Sequence, residues 1–472
     1  GGGSSKTRQG GSATVTISNN SYVIAKSIPA LDKHTNTIYP AGSGIGGGTG
    51  GTGVAIVGDG QVAPPAYGGS AKITITGNPT IRTGSIGGGK TNNPNGKIGN
   101  ATIVVAGGDI SAQFIMAGGA ATGQNTTFNM SGGTISNSYV DDKEYYHASN
   151  YGGAVYMEDG YFTMTGGTIR NCTADIGGAV YIKKSSNALV APQFNMSGGV
   201  IEDCVSATHG GAIYLEGGAV TLSAGTIQRN LALEGNGGGV YIAAGNLKMP
   251  EGGSANVIYN SAQLGHTSTL GNGGGIYVTS STSEVDVEVY SGSILNNTSD
   301  NNGGGICVDM SGNDSVANVV VGSAGSTSVD NPDISNNAAV MYGGGLYAIG
   351  ENAKVTINGG CIIDNTVVNY VTNENVTNQR GTVVLNGGDV THVVVTFDAN
   401  APDATVDGVS VAYQNIVTAT NSFLVQPKSI QRDLYNFVNW NTRPDGMGVT
   451  YTDGQLMNIT EDMTLYAQWE AQ

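Results

Sequence analysis

Apolar and polar residues alternate with a period of two in short runs along this chain, and the runs recur. Gly152-Gly-Ala-Val-Tyr-Met157 returns as Gly177-Gly-Ala-Val-Tyr-Ile182, Gly210-Gly-Ala-Ile-Tyr-Leu215 and Gly237-Gly-Gly-Val-Tyr-Ile242. It returns again as Gly273-Gly-Gly-Ile-Tyr-Val278, Gly303-Gly-Gly-Ile-Cys-Val308 and Gly343-Gly-Gly-Leu-Tyr-Ala348, at intervals of 25, 33, 27, 36, 30 and 40 residues. A second apolar-polar-apolar run follows six of the seven: Phe162-Thr-Met164, Phe194-Asn-Met196, Val220-Thr-Leu222, Leu247-Lys-Met249, Val287-Glu-Val289 and Val355-Thr-Ile357, with Phe128-Asn-Met130 before the first. A Gly-rich turn and an isolated Ile come next, at 135, 169, 201, 227, 294 and 362. A period of two predicts strands and a period of 3.6 would predict helices; the second is missing. Strands this short bury an apolar face only when coiled and stacked, so the elastic repeat predicts a solenoid with its length variation in loops. One unit reads strand, turn, strand, double-Gly corner, short strand and polar corner.

The alternation sorts inside from outside. In Val155-Tyr156-Met157-Glu158, Val and Met share one face, Tyr and Glu the other. The residue two after the Tyr position is Glu158, Lys183, Glu216, Ala243, Thr279, Asp309 and Ile349, mostly polar, so the Tyr face is expected to point outward. Val155/Met157 and their equivalents then line the interior. The double glycines suit a corner that needs positive φ or close approach of the next coil. Tyr156, Tyr181, Tyr214, Tyr241 and Tyr277 fall at one position of consecutive units and predict a stacked aromatic ladder about 19 Å long at ~4.8 Å per coil. Such a ladder binds an extended glycan or peptide if open, merely stiffens the sheet if the rings stack, or lies under an inter-coil loop.

Asn or Asp usually stands two residues after the isolated Ile: Asn137, Asn171, Asp203, Asn296 and Asp364, with Ile258 and Ile334 preceding Asn260 and Asn336. These positions predict a structural asparagine ladder, because Asn tolerates left-handed backbone and bonds its neighbours. Asn236, Asn272 and Asn302 predict a second. Cys172 and Cys204 occupy one position of successive units, close enough for a disulfide and equally suited to reduced stacking in a ladder that elsewhere holds Ser138, Asn230 and Asn297.

The 472 residues suit a solenoid plus a module. Gly is abundant at 77, but the glycines sit at corners and 39% of residues are hydrophobic, so a folded, turn-rich chain is expected. Only 11% are charged, with net charge −16, which disfavours nucleic acid and anionic membrane as partners. No apolar run is long enough to span a bilayer, so no membrane insertion is expected. Gly1-Gly-Gly-Ser-Ser5 has no signal-peptide pattern, and a mature form or excised fragment is expected. Residues 1–10 read as a flexible lead. Ala13–Ile17, Tyr22–Ile24, Val54–Val57, Lys72–Thr76 and Thr102–Val105 read as imperfect early coils, one of which should cap the column. The Gly-rich runs at 46 and 87 invite a phosphate-loop reading, which the lack of a following helix pattern disfavours.

The Gly-Gly-Ala-Ile/Val-Tyr repeats resemble those of polymorphic outer-membrane adhesins and related bacterial surface proteins. That resemblance covers roughly 128–365 and implies an all-β, right-handed parallel β-helix, the architecture also of pectin-lyase-like enzymes. From about 391 the period breaks. Val393-Val-Val-Thr-Phe-Asp-Ala-Asn400, Tyr435-Asn-Phe-Val-Asn-Trp440 and Met463-Thr-Leu-Tyr-Ala-Gln-Trp469 resemble the Listeria–Bacteroides repeat of internalin-type proteins. This implies a small β-grasp-like module used in tandem on bacterial surfaces, with Leu434 and Asn439 standing where glycines are usual. The expected organisation is therefore 11–390 as β-helix and 391–472 as module, with further surface-protein modules expected beyond Gln472.

Candidate chemistry is sparse. The best carboxylate pair is Glu158 and Glu216, one position two coils apart, roughly 9.6 Å and near the upper end of inverting-glycosidase spacing. Lys183 between them gives an alternative, an exposed charge ladder. The five histidines are scattered, and the cysteines lack zinc spacing, so neither metal nor cofactor is expected. The insertion 138–151 gathers Tyr139, Tyr145, Tyr146 and His147 with carboxylates, a composition suited to sugar or peptide recognition and also to a solvated loop. A second insertion, 366–381, carries Tyr370. The leading expectation is an extracellular bacterial adhesin or stalk that binds glycan or host and matrix protein without catalysis. A glycan-active lyase or hydrolase is the alternative.

Overall fold

A computed structural model describes residues 13–25, 30–32, 37–39, 45–46, 70–87, 100–117, 126–136, 149–184, 190–264, 271–323, 332–358, 360, 362, 365–367, 383–386, 390–391, 393–406, 413–417, 422–423, 430–452, 456–457 and 463–472. The described elements are all strands. They form a parallel β-helix followed by a small mixed sheet.

One coil shows the principle. Val155–Met157 pairs in parallel with Val180–Lys183 of the next coil, Tyr156 opposite Tyr181. Tyr161–Arg170 pairs in parallel with Gln193–Glu202, Phe162 opposite Phe194 and Ile169 opposite Ile201. A bulge at the double glycine 166–167 bends this strand so that Met164 and Ile169 both face inward. Alternate residues are fully buried: Val155, Met157, Phe162, Met164 and Ile169. Stacking repeats each environment along the axis. Phe128, Phe162 and Phe194 lie ring on ring, with centroids 4.5 and 4.4 Å apart. The apolar column runs without a break from Ile17 to Ile362, and burial of this column is the main force holding coils together.

The early strands belong to the same column. Ala13–Ile17 pairs with Ala71–Ile75, which pairs with the long strand Ala101–Ala117. The lead 1–10, the run 54–57 and most of both insertions lie outside the described residues, as do Ser138 and Cys361.

The structure corrects three details. The polar corner contains a further parallel sheet of eight very short strands, from Ser149–Tyr151 through Thr173–Ile176, Leu231–Ala232 and Ala338–Ala339 to Thr366–Val367. Small residues turn inward there: Ala174, Ser206, Ala232, Ala262, Ser299 and Ala339 are buried. The asparagine ladder runs through the position that Cys172, Cys204, Asn230, Asn260 and Asn297 already marked, one residue later than Asn171, Asn296 and Asn336 suggested. Residues two after the isolated Ile are the corner itself, with left-handed backbone at Asn171, Asp203, Arg229, Asn296 and Asn336. The next position carries the ladder Cys172, Cys204, Asn230, Asn260, Asn297, Asn337 and Asn365. Ile258 is displaced as well: Val257 fills the inward site, and Tyr259 takes the left-handed corner. Cys172 and Cys204 sit at adjacent ladder positions, buried and reduced, and burial pushes the Cys204 thiol well above its usual pKa.

The last sheet has the order Tyr413–Val417, Val393–Asp398, Met463–Ala471, Tyr435–Asn441, Thr450–Tyr451. Its central pair, Val393–Asp398 with Met463–Ala471, is parallel and the rest antiparallel. Phe397, Trp440, Leu465 and Ala467 form a core separate from the column. Trp469 donates Nε1–H to the Ala399 carbonyl at 2.8 Å. Leu434 stands at φ +64° with 78% of its surface exposed, a backbone that ordinarily selects glycine.

Candidate functional site

The tyrosine ladder is the main cluster of chemically distinctive side chains in the described residues. Each ring follows from a Val-Tyr-Ile type triplet: the flanking residues enter the column, so the Tyr must leave on the opposite face. Register places Tyr156, Tyr181, Tyr214, Tyr241, Tyr277, Cys307 and Tyr347 directly above one another. The first five rings stack at centroid separations of 5.5, 5.3, 4.8 and 5.0 Å.

The ladder points away from the column, as the alternation predicts, but it is not an open stripe. Tyr181, Tyr241, Tyr277 and Tyr347 are buried; Tyr156 and Tyr214 are half-buried. The cover comes from the corner that precedes each strand. His209 lies 4.6 Å from the Tyr241 ring, and Tyr151 lies 4.8 Å from Tyr181. The corner reaches the ladder only because of its glycines. Gly210 has φ +67°, and a Cβ there would sit 3.1 Å from Tyr214 Cβ and 2.5 Å from the Ile213 carbonyl oxygen. Gly211 has no room for another reason: its Cβ would collide with the Gly238 carbonyl one coil on. Gly210 thus needs both positive φ and close approach, and Gly211 close approach alone.

The hydroxyls at the outer rim are engaged. Tyr156 donates to Glu158 Oε1 at 2.7 Å, and Tyr277 donates to Asp309 Oδ2 at 3.3 Å. Tyr181 donates to Glu216 Oε2, while Lys183 donates from Nζ to Oε1 of the same carboxylate at 2.9 Å. Burial, reinforced by these carboxylates, raises the phenol pKa values, that of Tyr214 to about 12 and those of Tyr156, Tyr181 and Tyr241 further. The Glu158 and Glu216 pair therefore serves as acceptors for tyrosine hydroxyls, in line with the alternative charge-ladder reading. The Lys183–Glu216 pair is about two-fifths exposed at each end, worth roughly 0–1 kcal/mol.

The second ladder lies just before the glycine corner. Asn272 Nδ2 donates to Asn236 Oδ1 at 3.2 Å, and Asn302 Nδ2 to Asn272 Oδ1 at 3.0 Å. His209 heads it, its Nδ1 accepting the Asn236 backbone N–H at 3.1 Å, a role the sequence did not suggest. Burial lowers the His209 pKa. Tyr139, Tyr145, Tyr146 and His147 lie outside the described residues. Among the described residues no group of three His, Cys, Asp or Glu side chains is arranged to hold a metal ion, and no helix is long and apolar enough to cross a membrane.

The fold defines a parallel-strand solenoid carrying a small C-terminal sheet. A family model, the Listeria-Bacteroides repeat domain, matches residues 394–468, which span that sheet. This repeat is typical of bacterial surface or extracellular proteins. No curated protein and no solved structure matches the chain.

Proposed function

We propose that the chain is an extracellular bacterial surface protein in which a right-handed β-helix acts as stalk and recognition scaffold, related in design to the polymorphic outer-membrane adhesins. The observation that carries this reading is the union of an uninterrupted stacked column with a C-terminal Listeria-Bacteroides repeat. A solenoid is stiff along its axis and offers long side faces, properties suited to holding a ligand away from a surface. Glu158 and Glu216 favour structure over glycan cleavage, since each carboxylate is engaged by a partly buried tyrosine hydroxyl of the ladder. Partners in this reading are a glycan or a host or matrix protein.

The test is labelling of intact bacteria that produce the chain, using an antibody against residues 190–264, with binding of the purified chain to matrix-protein and glycan arrays. Surface labelling that external protease removes, together with array binding, supports the proposal. Labelling only after permeabilisation overturns the location. Glycan turnover that Glu216→Gln abolishes overturns the non-catalytic reading.

A further inference from the structure

The outer face of the Phe-x-Met sheet carries a feature that the fold does not require. Its two outward rows run in register from coil to coil. One row reads Thr102, Thr127, Tyr161, Gln193 and Ala219; the other reads Val104, Asn129, Thr163, Asn195 and Thr221. Neither contains an acid or a base over these five coils, about 19 Å at ~4.8 Å per step. One coil later the same rows become charged. Lys248 follows Thr221 and bridges Glu288 at 2.6 Å, Asp286 follows Asn246, and Lys354 follows Asn318. Identical backbone positions thus hold charged groups, among them the Lys248–Glu288 pair, in the C-terminal coils and Lys72 at the N-terminal end, and only hydroxyls, amides, a ring and small apolar groups in the five coils between.

The chain carries net charge −16 and presents Arg170, Glu202, Asp203 and Arg229 beside its left-handed corners, whereas the uncharged outward positions of this face continue past the bulge through Thr134, Thr168, Val200 and Thr226. Among the described residues, the side chains of Asn129, Tyr161, Thr163, Gln193, Asn195 and Thr221 make no hydrogen bond to another protein group. They alternate with Phe128, Met130, Phe162, Met164, Phe194 and Met196, whose burial fixes the outward direction of the rows. A groove of about 530 Å³ opens beside this face at the glycine bulge, between Asn78, Gly107 and Gly133, with Asp109 on its wall.

We propose that this face binds an extended neutral polysaccharide. Charge and hydrogen-bonding capacity both match such a ligand. A polyanion would meet no cation, and a cationic partner no carboxylate, in the rows from Thr102 to Thr221. A globular protein partner would find one anchor, Tyr161, where protein interfaces cluster several Trp, Tyr and Arg side chains. A chain of uncharged sugars presents a row of hydroxyls that pair with Asn, Gln and Thr groups held at a fixed repeat, and Tyr161 supplies a ring for a sugar face. Preorganisation on a stiff sheet lowers the ordering cost of binding. The inference names the ligand class for the surface protein proposed above and rests on that reading.

The experiment uses the full 472-residue chain in affinity electrophoresis through gels containing dextran, galactomannan, mixed-linkage β-glucan or, as the anionic control, polygalacturonate. The expected result is retardation by at least one neutral polymer and none by polygalacturonate. Thr163→Glu with Asn195→Glu should weaken retention about tenfold or more, because a carboxylate then faces an uncharged ligand. Thr163→Ala with Asn195→Ala should weaken it less, and Thr356→Glu, at the same row in the charged half, should leave it unchanged. Each variant is checked for wild-type Tm. Free migration through every neutral gel, or equal retention of the folded Glu variant, overturns the inference. Surface labelling with free migration defeats the ligand assignment alone, whereas intracellular retention of the protein defeats the underlying reading.

Discussion

Asn260 donates from Nδ2 to Oδ1 of Asn297, one coil on, at 3.0 Å, and its backbone N–H reaches the same oxygen at 2.9 Å. Asn260 in turn accepts two such bonds from Asn230. It also donates to the Ile227 carbonyl. Each buried amide therefore links three coils, which explains why the ladder persists through Asn337 and Asn365.

Asn260→Ala tests this linkage. It strands the Asn230 donors and the Ile227 carbonyl inside the protein, each at about 1–3 kcal/mol, so a total loss near 4 kcal/mol is expected. Equilibrium urea denaturation measures it. A loss below 1 kcal/mol would mean that water replaces the amide, as it does at exposed sites.

The left-handed leucine gives the opposite sign. Leu434→Gly removes a Cβ from positive φ and sacrifices little burial, since the side chain is exposed. We expect a gain of about 1 kcal/mol. Thermal melts of the full chain, followed by fluorescence of Trp440 and Trp469, read this out. An unchanged or lower Tm would show that Leu434 packs in solution.

His209 makes stability depend on pH. Its folded pKa lies below the usual value because burial disfavours the charged ring. The contribution is fully present above the unfolded value near 6.5 and is lost as pH falls through the folded value. Protonation also removes the lone pair that accepts the Asn236 N–H. His209→Asn places an amide where the following coils already carry Asn236, Asn272 and Asn302. The variant should lose less stability than wild type between pH 7.5 and 5. Parallel slopes for the two proteins would refute the buried neutral ring.

The coil was legible because its core strands announce themselves: Val-Tyr-Ile and Phe-x-Met place apolar residues on one face at every repeat. The module was legible from Thr464-Leu-Tyr-Ala-Gln-Trp469. The eight-stranded sheet was not. Thr173–Ala174 and Leu231–Ala232 are too short for a periodic signal, and inward residues such as Ala174 and Ser206 lack the size that marks a core. A small residue two positions after each ladder residue, as in Asn230-Leu-Ala232 and Asn337-Ala-Ala339, was the available clue. The ladder was split between two neighbouring positions, Asn230 and Asn260 falling at the right one, because Asn296-Asn297 and Asn336-Asn337 place two candidates side by side. The cover over the tyrosines was hidden because Tyr151 and His209 reach rings in neighbouring coils, contacts that no local pattern encodes.

In the proposed division of roles, the tyrosine ladder holds coils together and the uncharged sheet face meets the ligand. Tyr214→Ser with Tyr241→Ser measures this most directly, with Tm and neutral-polysaccharide retention recorded on the same samples. The rings stack on each other at 4.8 Å and on Tyr181, Tyr277 and His209. Their loss should cost about 4 kcal/mol or more, while the variant, assayed well below its Tm, keeps wild-type retention. Wild-type stability with abolished retention would contradict the account and make the ladder the binding site.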